Sequence, residues 1–101
     1  MGVDAYLETE VGEKLVELLD PKGIIAQLMP LEDDHFTLLR YVDLYGNTVF
    51  NRMQMDQMLI ELEQLKNSSR SNEEINYIKQ LEDMARRCQS EPHLYLKFYG
   101  D

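Results

Sequence analysis

The chain has 101 residues, 44% of them apolar, and a net charge of −9 from nineteen Asp and Glu against ten Lys and Arg. Such a length holds one domain with one core, residues 1–101, because domains run to roughly 100–150 residues, and the apolar content excludes a chain disordered throughout. No apolar run approaches the roughly 20 residues of a membrane span, Asp4 and Glu8 interrupt a signal-peptide pattern, and the lone Cys88 suits a reducing compartment, so a cytoplasmic protein is expected.

From Gly2 to Glu8, Val3, Ala5 and Leu7 alternate with Asp4, Tyr6 and Glu8, the period of a half-buried strand. Val11 to Leu19 fits either a helix or a return strand. Gly12 weakens the first and suits a turn in the second, which favours a hairpin. Asp20-Pro21 reads as an N-cap and first helical residue of a short helix through Met29, stopped by Pro30. Leu31 to His35 is an acidic connector. Thr37–Asp43 and Thr48–Gln54 are rich in strand formers and flank Leu44-Tyr45-Gly46-Asn47, so the spacing predicts a hairpin at the centre of a sheet.

Asp56 is placed to cap a helix to about Lys66, with Met55, Met58, Leu59, Leu62 and Leu65 on one face. Lys66 to Ser71 is a polar loop. Ser71-Asn-Glu-Glu74 is a capping box for a helix to about Gln89, with Ile75, Ile78, Leu81, Ala85 and Cys88 as its apolar stripe. Lys79/Asp83, Glu82/Arg86 and Asp83/Arg87 stand four apart on its outer side, the spacing of helix ion pairs. After Pro92, Leu94, Leu96 and Phe98 alternate with His93, Tyr95, Lys97 and Tyr99 in a terminal strand. The order of elements defines an α+β fold, an antiparallel sheet of four or five strands with two main helices on one face. The other face is left open for some of Tyr95, Tyr99, Lys97, Arg40 and Arg52.

The charge is uneven. Residues 1–35 hold nine acids against Lys14 and Lys22, a net −7, which leaves −2 for residues 36–101. An acidic surface repels phosphate backbones and anionic lipid, so neither nucleic acid nor membrane is an expected partner, and a basic protein is the natural complement. The same excess also serves solubility alone.

Chemistry-bearing patterns are sparse. Glu32-Asp33-Asp34-His35 has neither the ligand spacing of a calcium loop nor that of a zinc site, and reads as a solvated loop. Cys88 and His93 could pair if the chain folded back, but Cys88 continues an apolar stripe and reads as a buried, inert thiol. No glycine-rich phosphate loop, nucleophile elbow or zinc-protease helix occurs, so no catalytic residue, metal or cofactor is expected. Four of the six methionines fall between residues 53 and 84 and read as core filling rather than as an adaptable surface.

Tyr41-Val-Asp-Leu-Tyr-Gly-Asn-Thr-Val-Phe-Asn-Arg-Met-Gln54 and the ending His93-Leu-Tyr-Leu-Lys-Phe-Tyr-Gly-Asp101 resemble a group of small uncharacterised bacterial cytosolic proteins. In size and acidity the chain also resembles immunity proteins, which neutralise bacterial toxins by binding them. These likenesses and the charge lead to the expectation of a non-catalytic, acidic protein-binding module, an immunity-type inhibitor of a basic bacterial toxin. Glu8, Glu10, Glu13, Glu17, Asp33 and Asp34 would steer the encounter, and Tyr95 and Tyr99 would carry the contact. Two alternatives stand beside it. One is a small enzyme or metal-dependent hydrolase using His35, His93 and carboxylates. The other is a homodimer or larger homo-oligomer formed by pairing of the terminal strand.

Overall fold

A computed structural model describes residues 2–68 and 70–101; Ser69, within the loop expected at Lys66–Ser71, lies outside the described residues. The chain is α+β. Strands β1 (Val3–Thr9), β2 (Lys14–Leu18), β3 (Asn47–Asn51) and β4 (Leu94–Gly100) form one antiparallel sheet in the order β2-β1-β4-β3. Helices α1 (Ile24–Leu28), α2 (Met55–Lys66) and α3 (Asn72–Ser90) accompany it. The alternation in β1 and β4 works as the sequence suggests: Val3, Ala5, Leu7, Leu94, Leu96 and Phe98 are buried under the helices, and the intervening residues form the opposite face. Gly12, at φ +88, makes the turn into β2 in a conformation that other residues rarely adopt.

The Ser71–Glu74 capping box closes as expected, with Glu74 N donating to Ser71 Oγ at 3.2 Å and Ser71 N donating to Glu74 Oε1 at 3.0 Å. Ile78, Leu81, Ala85 and Cys88 of α3 meet Met55, Met58, Leu62 and Leu65 of α2 in the core, while Ile75 is only half-buried. Met55, Met58 and Met84 fill that core, and Met53 is 87% exposed.

Six expectations are corrected. Thr37–Asp43 is not a strand: Leu39–Tyr41 forms a 3-10 turn. The cause is Glu61 of α2, fully buried, whose carboxylate accepts from the backbone N–H of Thr37, Leu38 and Leu39 and so takes donors that a strand would need. Asn47–Asn51 therefore pairs with β4 instead of with a neighbour in sequence, and lies at the sheet's edge instead of its centre.

The helix after Asp20 begins at Ile24, not Pro21. Asp20 still caps it, accepting from Ile24 N at 2.6 Å and Ala26 N at 3.2 Å, but reaches over a turn to do so. Asp56 lies inside the first turn of α2. The cap there is Asn51, which accepts from Met53 N at the start of a 3-10 turn, Arg52–Gln54, that leads into the helix. On α3, Glu82 turns inward to Lys66 of α2 at 3.0 Å, and the outer-side pairs formed are Asp83–Arg86 and Arg87–Glu91. Finally, β4 is paired on both sides, by β1 and β3, so the terminal strand has no free edge for a symmetry mate.

Candidate recognition surface

The helix-free face is built by three strands in register. Asp4, Tyr6 and Glu8 of β1 stand opposite Tyr99, Lys97 and Tyr95 of β4, which in turn face Asn47, Val49 and Asn51 of β3. Lys14 of β2 joins Glu8, and Glu17 joins Tyr6. Cross-strand neighbours on one face touch, so this register dictates which side chains interact.

Glu8 lies at the centre and is 2% exposed. Lys97 Nζ stands 2.9 Å from one carboxylate oxygen, and the Tyr99 hydroxyl donates to the other at 2.6 Å. Burial pushes the Glu8 carboxyl up, but the tyrosine hydroxyl and the two lysines, Lys97 and Lys14, outweigh it and hold the group below its usual range. The Glu8 carboxylate raises Lys97 and Tyr99 in turn, so both stay protonated. The rings of Tyr6 and Tyr99 meet edge-on at 5.1 Å, with Lys14 Nζ 4.3 Å from the Tyr6 centroid. The result is an ionised centre under an aromatic cover. A shallow hollow of about 230 Å³ opens beside it, between Thr9, Glu10, Val49, Tyr95 and Lys97.

The six acids singled out in the sequence divide three ways. Glu10, Glu13 and Glu17 are exposed on one hairpin, and Thr9, which binds both the amide and the carbonyl of Glu13, fixes its turn. Glu8 is a correction: buried and paired, it presents no charge outward. Asp33 and Asp34 sit on the connector in pairs of their own, with His35 at 2.9 Å and Arg40 at 3.0 Å, apart from the hairpin strands. Tyr95 and Tyr99 are on the open face as expected, with Lys97; Arg40 and Arg52 are not, being bound to Asp34 and to the Gln89 carbonyl. Tyr6 and Lys14 also belong to this face; the β1 alternation points Tyr6 outward, and no local pattern marks Lys14.

Each histidine has a carboxylate within hydrogen-bond reach. His93 Nδ1 is 3.2 Å from Glu10, on a residue at φ 63, and His35 Nδ1 is 2.9 Å from Asp33. Both side chains are mostly in solvent, at 72% and 87% exposure, and a dyad without a desolvated pocket lacks the surroundings that tune acid–base catalysis. Cys88 donates its thiol to the Leu94 carbonyl at 3.4 Å, and burial pushes its pKa up, the opposite of what a nucleophile needs. Among the described residues, no three His, Cys, Asp or Glu converge to hold a metal, and no helix is long and apolar enough to cross a membrane.

The arrangement defines a small open-faced α+β domain with a tyrosine–lysine–carboxylate surface. No family model matches the chain, and neither a curated protein nor a solved structure matches it.

Proposed function

We propose that the chain is a non-catalytic protein-binding module of the bacterial cytoplasm, an immunity-type inhibitor that covers a basic partner with the open face of its sheet. The observation that carries this reading is the fixed set of tyrosines around Glu8 and Lys97, flanked by Glu10, Glu13 and Glu17 on the adjoining hairpin. Tyrosine gives large contact area with little rotamer entropy to lose, and the Glu8 network removes part of that loss before binding. The hairpin acids would raise the rate of encounter with a cationic surface and make it depend on salt. A toxin whose positive residues serve phosphate binding fits such a field.

The test is affinity capture from the source cell at low and high salt, with the native chain, a Glu10→Lys/Glu13→Lys variant and a Tyr95→Ser variant. The native chain is expected to retain a basic protein at low salt, with less recovered at high salt and from either variant. Equal recovery from all three chains, or no basic protein at all, overturns the reading.

A further inference from the structure

β2 forms one margin of the sheet. β1 pairs with its inner side, and among the described residues no backbone hydrogen bond to another element reaches its outer side. A free strand edge offers N–H and C=O groups to an extended chain that adds as the next strand. Beneath this edge, between β2 and α3, runs a groove of about 290 Å³. Val16, Leu18 and Met84 give it apolar walls, and Glu17 and Asp83 stand at its rim. The α3 contribution is Gln80, Asp83, Met84 and Arg87, a row spaced i, i+3, i+4, i+7 beside the core-facing stripe, so the groove follows the helix and lies along the strand.

Charge selects the occupant. Arg87 is already held by Glu91 at 2.8 Å, and Asp83 has only a solvent-exposed contact with Arg86 at 3.5 Å, which leaves the rim negative. A second copy of this chain would bring another −9 and another acidic hairpin against the first, which opposes pairing of two copies through β2. We infer that β2 receives an extended segment of the basic partner as a fifth strand, its apolar side chains entering the groove on the helix side, where Asp83 stands, and its alternate lysines or arginines meeting Glu17 on the other face. This rests on the reading of a basic protein partner and adds a strand-edge site that shares Glu17 with the margin of the tyrosine face.

A fluorescein-labelled peptide, Thr-Lys-Val-Lys-Val-Lys-Thr, is the probe. Fluorescence anisotropy reports its binding, and amide hydrogen exchange reports protection of Lys14–Leu18. Binding with slowed exchange at β2 is expected. Affinity should fall about tenfold or more for the same peptide with glutamates in place of lysines, and for a Glu17→Lys/Asp83→Lys variant whose circular dichroism matches the native chain. Equal binding of the two peptides, no protection at β2, or light scattering that shows a dimer with β2 already protected overturns the inference. Peptide docking that survives while Tyr95→Ser leaves capture unchanged overturns the open-face reading alone. Capture that depends on Tyr95 with no peptide protection at β2 overturns the edge site alone.

Discussion

A buried carboxylate is costly unless its oxygens are bonded, and Glu61 shows how a neutral shell suffices. No cation pairs with it among the described residues; its partners are the backbone N–H of Thr37, Leu38 and Leu39, the Thr37 hydroxyl and the Gln57 amide. Burial pushes its pKa up, and the bonds from Leu39, Gln57 and Thr37 more than reverse this, so the group is held below its usual range. Glu61→Gln keeps the shape but turns an amide donor toward donors, and should cost about 2–3 kcal/mol, measured by urea denaturation at neutral pH. The sign with pH follows: the unfolded carboxyl, near 4.5, takes its proton first, so the stability from Glu61 is full above that value and is lost as pH falls below it. The glutamine variant should therefore lose less stability than the native chain between neutral pH and the acid range.

Glu8 is the contrasting case, because a lysine does neutralise it. Lys97→Met should remove the cation bonded to the buried carboxylate, leaving only the Tyr99 hydroxyl and the more distant Lys14, and cost about 3–5 kcal/mol, whereas Tyr99→Phe removes one charge-assisted hydrogen bond and should cost about 1.5–3 kcal/mol. An equal or reversed order of the two denaturation midpoints would show that the ammonium is not the principal partner.

At the scale of elements, local signals and distant ones part company. β1, β4 and α3 were legible because their own alternation or capping residues specify them, and the same alternation placed Tyr95, Lys97 and Tyr99 on the open face. Ser71→Ala should accordingly act on α3 alone, lowering stability by about 1 kcal/mol through the lost cap. The segment 37–43 departs from its strand-forming composition because its fate is decided by Glu61, more than twenty residues on. Its own pattern held a clue, for Phe36, Leu39 and Val42 are buried at a spacing of three, which is that of a 3-10 turn and not of a strand. The edge position of β3 was beyond local reading, since among the described residues its one strand partner is β4. That pairing also fixes the end of the chain: Gly100 N donates to Gly46 O at 2.7 Å, and a Cβ on Gly100 would lie 2.2 Å from the Leu44 carbonyl oxygen. Backbone that close has no flexible end to yield, so Gly100→Ala must displace the 44–46 loop.

For the whole molecule, the formal charge overstates the field a partner meets. Glu8, Asp20, Glu61 and Glu82 are all buried. Two of them are offset by Lys97 and Lys66, and the charges on Asp20 and Glu61 are spent on backbone donors inside the fold. Sequence charge alone made Glu8 indistinguishable from Glu10, because only the fold reveals that one is enclosed and the other is not. The enclosed network also ties both ends of the pH range to one residue. Glu8 is held below its usual range, so its share of stability is lost as pH falls below about 4.5. The hydrogen bonds to Glu8 raise Lys97 above 10.5 and Tyr99 above 10.0, so in the unfolded chain these groups release protons first, and their share is lost as pH rises past those values. Glu8→Gln should therefore lower stability at neutral pH while flattening both the acid and the alkaline limbs of a stability profile. A flattening confined to the acid limb would mean that Lys97 and Tyr99 owe their raised values to other neighbours, and the open face would then lack the ionic centre that orders its tyrosines.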